Sequence, residues 1–240
     1  PAVVLCLTIK THMTNLPIAE RSASQTSGGL DPGFTIACES GRDIVQAKDP
    51  NQLYRLVDGW AFGARMFEDG RRQIVGFLLP GDLVNADAVL GRSAGVPLYA
   101  LTDVRLQADD GGNTAEALAA TLSQMASLCE QVVSLGRRTA YERIAAFLLQ
   151  IGDRLDGGAG SPGHRYLVPL RLEHLADHLG LSVVHVSRTM RQLRGNGLAS
   201  LYRGELELGD RGALARVSEY SGARAPAGHN SGKPVDGHSA

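Results

Sequence analysis

Val183, Val184, His185, Ser187, Arg188 and Arg191 are side chains of the kinds that grip and read a duplex, crowded into nine residues. On a helix of 3.6 residues per turn they lie outward, because Val186, Thr189, Met190 and Leu193 form the opposite, apolar stripe. Guanidinium groups attract phosphate, and an arginine fork matches the two acceptors that guanine presents in the major groove. From Ser182 to Arg194 there is no acidic residue to oppose that attraction. Ser182 is suited to cap the helix, since its hydroxyl can accept from a free N–H of the first turn. The chemistry implied is recognition of DNA: Arg188 on a base edge or adjacent phosphate, Ser187 and Val184 beside it, Ser182 and Val183 at the helix entrance, and His185 and Arg191 on the backbone.

Such a face needs a second helix to set it in a groove. Leu172, Leu175 and Leu179 recur at i, i+3, i+7, and Ala176 precedes Gly180 by four residues. That places a small residue where two helices cross and a glycine at the sharp turn between them. Before this pair, a helix from about Arg138 to Leu155 carries Ile144, Phe147, Leu148 and Ile151 on one face, and the glycine-rich run 156–163 breaks the chain. After it, Gly195 and Gly197 lead to residues 198–202, the turn Arg203-Gly204 and residues 205–208, a two-stranded wing. Asp210 caps a last helix through Val217. Residues 137–220 therefore read as a winged helix-turn-helix.

The chain before this module has a different texture. Residues 34–112 show short apolar runs separated by the turn pairs Ser40-Gly41, Asp58-Gly59, Asp69-Gly70 and Pro80-Gly81, with residues 53–57 and 73–79 strand-like. This pattern predicts an antiparallel β-barrel or sandwich. Residues 113–136 form one helix, with Thr114 as its cap and Glu116 in the first turn. Leu118, Leu122, Met125, Cys129 and Val132 recur at spacings of 4, 3, 4 and 3, a coiled-coil seam suited to a homodimer, while Leu128 and Leu135 lie beside it and could cover the barrel. Two-fold symmetry at such a seam would bring Cys129 near its mate. Residues 1–33 and 221–240 lack hydrophobic period and read as a mobile arm and a disordered tail. The chain begins at Pro1, and His12-Met13 looks like a cloning junction, so residues 1–12 are expected to be vector-derived and Cys6 not native.

Charge is unevenly divided. The chain as a whole carries −1, but residues 137–224 hold 13 arginines and no lysine against 9 acidic residues, a local +4, and the remainder carries −5. A basic back and an acidic front suit a DNA-binding module joined to a sensor or dimerisation module. Cys6, Cys38 and Cys129 lie far apart with no CxxC, which argues against a disulfide scaffold or a local metal cluster and for a cytosolic protein. Residues 2–7 are apolar but far short of the roughly 20 residues that span a bilayer.

β-barrel, seam helix, winged helix-turn-helix: this order, with LYRLVDGWAFGARMFEDGRRQIVGFLLPGDLVNADAV from Leu53 and LADHLGLSVVHVSR from Leu175, resembles the Crp/Fnr family of bacterial transcription regulators. The likeness is greatest to the Fnr/FixK-like branch and covers about Phe34 to Tyr220. It implies an α+β chain with a jelly-roll barrel of the cyclic-nucleotide-binding kind, and no enzyme activity. It also implies a homodimer that binds a palindromic site and recruits or blocks RNA polymerase. In the family's reader, Glu-x-x-Ser-Arg falls on Val184 to Arg188, so Val184 replaces the glutamate and offers a thymine methyl an apolar surface instead of accepting from cytosine. Oxygen-sensing members hold an iron-sulfur cluster on four cysteines, which this chain lacks, and no cofactor is expected. Cyclic-AMP members use Gly-Glu followed by Arg-Ser. Gly81-Asp82 and Arg92-Ser93 have a matching separation, although Asp82 is one methylene short, so a cyclic-nucleotide-responsive regulator is the alternative.

An enzymatic reading would begin from His174 and His178, spaced i, i+4 as zinc ligands often are. Leu175 stands where a hydrolytic HExxH site needs its glutamate, and no third ligand is near. Two surface histidines on the positioning helix account better for the pair.

Overall fold

The structure is a computed structural model that describes residues 35–44, 52–86, 96–109, 114–157 and 164–220. The expected arm, its vector-derived start with Cys6, the tail, and the candidate ligand residues Arg92 and Ser93 lie outside the described residues.

Seven strands come first: β1 (Thr35–Cys38), β2 (Tyr54–Asp58), β3 (Ala61–Met66), β4 (Arg72–Leu78), β5 (Leu83–Val84), β6 (Leu98–Ala100) and β7 (Val104–Ala108). They form two antiparallel sheets, ordered β1-β7-β2-β5 and β4-β3-β6. Along β7 the side chains alternate, with Val104, Leu106 and Ala108 buried and Arg105 and Gln107 exposed, as in a sheet with one wet face. β3 does not alternate: Ala61, Phe62, Gly63 and Ala64 are all buried. Ala61 faces the core between the sheets with Tyr54, Leu56 and Leu106, whereas Phe62 and Ala64 face the carboxyl-terminal module. The second sheet is thus covered on both sides. Residues 41–44, just after β1, bond the edge of β6 through the Asp43–Tyr99 bridge and the Ile44 N–H to the Leu98 carbonyl at 2.8 Å, but the described strands do not close into the expected barrel and stand as two sheets within an α+β chain.

Helix α1 (Thr114–Arg137) begins at Thr114 itself, which places the expected capping residue inside the first turn. Helix α2 (Ala140–Leu155) starts two residues later than expected, because Thr139 and Glu142 close a capping box: the Thr139 N–H donates to Glu142 Oε2 at 2.8 Å and the Glu142 N–H to Thr139 Oγ1 at 3.4 Å. The reader is α3 (Leu172–Leu179) and α4 (Val183–Gly195). A wing of β9 (Ala199–Tyr202) and β10 (Glu205–Leu208) and a closing helix α5 (Arg211–Ser218) follow. The wing has a third strand that sequence reasoning missed, β8 (Arg165–Leu167), paired along the free edge of β10.

The winged module sits on the outer face of the β4-β3-β6 sheet, and one apolar core runs from Phe62, Ile74 and Phe77 to Phe147, Leu175 and Leu206. Polar groups ring this junction. Arg72 donates through two nitrogens to Asp177 at 2.9 and 2.6 Å, and Gln73 and Gln131 donate to the His178 carbonyl at 3.0 and 3.2 Å. The surface placement expected for the two histidines is overturned. His178 is buried against the Phe77 and Phe147 rings, with Nδ1 3.1 Å from the Ile74 carbonyl, and His174 is half-buried beside Phe62. The helix face that carries them is the face that packs on β4, which their apolar neighbours Leu175 and Leu179 share.

Burial pushes the His178 imidazole down to about 4, so the folded protein holds it neutral. An unfolded chain takes up a proton on this ring near pH 6.5, which the folded one refuses until about pH 4. Its contribution is therefore present in full above pH 6.5 and is lost as pH falls towards 4, by about 3 kcal/mol in all. Urea titrations of the protein and of His178→Gln across this window should give a steeper fall in midpoint for the unsubstituted chain; parallel curves would place the acid sensitivity elsewhere.

Candidate nucleic-acid interface

The turn that sets α3 against α4 is built on Gly180, whose φ of +63° lies in the left-handed region that a Cβ disfavours. The Gly180 N–H donates to the Ala176 carbonyl, and Ala176 is buried at the crossing, as its size suggests. Ser182 then starts α4: its Oγ accepts from the His185 N–H at 3.2 Å. Val186, Thr189, Met190 and Leu193 are buried, which fixes the helix by its inner stripe and turns the rest outward.

The outward face carries the predicted set. Val183, Val184, His185, Arg188 and Arg191 are exposed and Ser187 is half-buried, with Arg194 extending the row. Val184 is 69% exposed, so its apolar side chain stands free on this face. Among the described residues no carboxylate pairs with Arg188, Arg191 or Arg194, whereas Arg72, Arg138, Arg154 and Arg211 are each held by an acidic side chain. The one acidic residue of α3 that follows its first turn, Asp177, is drawn to the opposite side by Arg72. A capped helix end, three uncommitted guanidinium groups and no facing carboxylate make a surface with a positive potential and free donors. At the wing tip Arg203 adds a further exposed cation, its guanidinium 5.2 Å from the Tyr202 ring.

The other candidate residues are placed differently. Leu118, Leu122, Met125, Cys129 and Val132 are all exposed on α1, so in the single chain the seam has no cover. Leu128, expected to cover the sheets, is exposed as well; Ala117 and Ser134 are the buried positions of that helix. Leu135 is half-buried and approaches the Gly180 turn. Of the ligand candidates, Gly81 and Asp82 form a tight turn with φ +99° at Gly81, and the Asp82 carboxylate is already engaged by the Leu79 N–H at 2.8 Å and by Arg154. Both contacts fall on Oδ2, which ties that oxygen into the fold. His174 and His178 are not paired towards a common point: Nδ1 of His174 accepts the Arg171 N–H at 3.1 Å while Nδ1 of His178 lies on the Ile74 carbonyl.

Residues 142–217 match the Crp-like helix-turn-helix domain, a span that takes in most of α2, the reader, the wing and most of α5. The chain is 32% identical to the nitrogen fixation regulation protein FixK of Rhizobium meliloti, over 71% of this chain and 80% of that protein, and 30% identical to FixK of Bradyrhizobium diazoefficiens, over 80% and 83%. The chain belongs to the Crp/Fnr family. Within it the relatives lie in the FixK branch, and the solved structure of FixK2 from Bradyrhizobium japonicum superposes with a TM-score of 0.64 at 25% identity, over 77% of this chain and 96% of that one. This Crp/Fnr protein is accordingly a DNA-binding transcription regulator and not an enzyme.

The cap is the most local of the reader's supports. Ser182→Ala removes the acceptor of the His185 N–H and should lower stability by about 1 kcal/mol, while Ser182→Asp keeps it. Equal denaturation midpoints for the alanine and aspartate variants would remove Ser182 from the construction of the reader.

Proposed function

We propose that the protein acts as a cytoplasmic homodimer that binds a palindromic operator through α4, contacts RNA polymerase from there, and needs neither an iron-sulfur cluster nor a cyclic nucleotide. The observation that carries this reading is the exposed, acid-free face of α4, with Arg188, Arg191 and Arg194 uncommitted above a buried stripe. Arg188 reads a base or the adjacent phosphate, Ser187, Val184 and Val183 border it, and His185 and Arg191 hold the backbone. Val184 in place of a glutamate favours a thymine methyl at its base pair. The two sheets are read as the halves of a jelly-roll sensor domain that works without a nucleotide, a reading supported by the shorter acid at Asp82 and by the tie of its Oδ2 to Arg154. No helix among the described residues is long and apolar enough to cross a membrane.

Dimerisation rests on α1. Leu122, Met125 and Val132 are 52%, 57% and 70% exposed on one helix, a stripe that water disfavours and a two-fold partner would bury. Two readers held about 34 Å apart then meet two half-sites one helical turn apart. Cys129 lies in the same stripe and packs there as a small hydrophobe.

Two measurements test the reading. Arg188→Ala should leave a folded dimer and cost about 1 to 3 kcal/mol of discrimination at each half-site, so specific binding disappears from a mobility-shift titration; unchanged operator affinity would remove Arg188 from the reading set. Leu122→Asp or Met125→Asp should yield monomers that lose operator binding although the reader is intact, because burying facing carboxylates costs several kcal/mol. Light scattering that still reports a dimer would put the seam elsewhere.

A further inference from the structure

The Gly81–Asp82 turn joins two helices that the chain separates. On one side Arg55 of β2 donates to the Gly81 carbonyl at 3.2 Å and, through its other nitrogen, to Asp109 at 3.1 Å and to Glu116, in the first turn of α1, at 2.9 Å. On the other side the Asp82 carboxylate pairs with Arg154, in the last turn of α2, and Arg154 also donates to the Phe77 carbonyl of β4 at 2.8 Å. A continuous polar chain therefore runs from the start of α1, over the sheets, to the far end of α2. At its near end α2 is fixed to α1 by Arg143, which donates to the Leu135 and Arg138 carbonyls at 2.7 and 2.9 Å.

α2 packs directly on α4, so the direction of α2 is the direction of the reader. We propose that Asp82 and Arg154 are positioning residues of DNA binding: their ion pair ties the far end of α2 to the sensor sheet and, with the other polar contacts of the junction, fixes the angle between the reader and the dimer helix without any bound ligand. The inference rests on the homodimer reading above.

The lever is long enough for this to matter. From the Thr139 joint to Arg154 is about 22 Å at 1.5 Å per residue, and a swing of about 10° moves the far end by about 4 Å. That is roughly the 3.4 Å rise of one base pair, so a small rotation puts each reader out of step with its half-site. The pair itself is a third exposed on both sides, where such contacts add little to stability, so its effect is expected on geometry first.

The experiment is a double-mutant cycle on the full chain. Asp82→Asn keeps an acceptor for the Leu79 N–H and removes the charge, Arg154→Gln removes the cation, and Arg154→Lys restores it. Each protein is titrated on an operator selected by the unsubstituted chain, and on the same operator with one base pair added to or taken from the spacer. Each neutral variant should lose at least fivefold in affinity for the selected spacing and narrow the gap between spacings. The double variant should lose no more than the worse single one, and Arg154→Lys should recover most of the loss. Unchanged affinity and spacer preference in folded dimers, or losses that simply multiply, would overturn the proposal. A monomeric unsubstituted protein, seen by light scattering at the outset, would instead overturn the homodimer reading from which it starts.

Discussion

Everything in the described chain is arranged around the burial of the outer face of the β4-β3-β6 sheet by the winged module. A sheet with one face on its own core would leave Trp60, Phe62, Ile74 and Phe77 in water; here they share a core with Phe147, Leu175 and Leu179. Apolar burial at about 25 cal/mol per Å² has no direction of its own, so it brings the two halves together without setting the angle between them. The angle falls to the polar groups at the rim, Arg72 with Asp177, Gln73 and Gln131 with the His178 carbonyl, and Asp82 with Arg154. Each must find its partner at hydrogen-bond distance, which few orientations satisfy together.

This division explains how the arginines are used. Those at the junction and in the supports, Arg55, Arg72, Arg138, Arg154 and Arg211, are spent on carboxylates or carbonyls within the chain. Those of α4 are left without carboxylate partners among the described residues. A guanidinium that is already paired is a poor phosphate ligand, because contact with DNA would first require the internal pair to open. The same side chain type therefore serves rigidity in one place and recognition in the other, and the neighbouring carboxylate decides which.

On the proposed reading, a fold shared with ligand-responsive proteins works here by fixed contacts. A ligand shifts an equilibrium only by its differential affinity for two states. Where an internal ion pair already joins the sensor sheet to the reader's supporting helix, that difference is supplied by the chain itself.

The reader is legible in the chain residue by residue. The stripe Val186, Thr189, Met190, Leu193, the glycine at 180 and the cap at 182 are local patterns, each fixed by helix geometry or backbone conformation within a few residues. The cap at Asp210 is of the same kind, and the Thr139–Glu142 capping box is a local pattern too, one that sequence reasoning passed over. Strand β8 was missed because three residues after a glycine-rich run carry little periodic signal, although Tyr166 and Leu167 have the composition of a strand. The histidines were misplaced for a deeper reason. Whether His178 meets water or Ile74 depends on a strand 104 residues earlier in the chain, and nothing in the spacing of α3 encodes that meeting. The same holds for Asp82 and Arg154, which are 72 residues apart. Local periodicity states which face of an element is apolar; only the tertiary structure decides what that face is pressed against, because the partner is chosen by packing between distant segments.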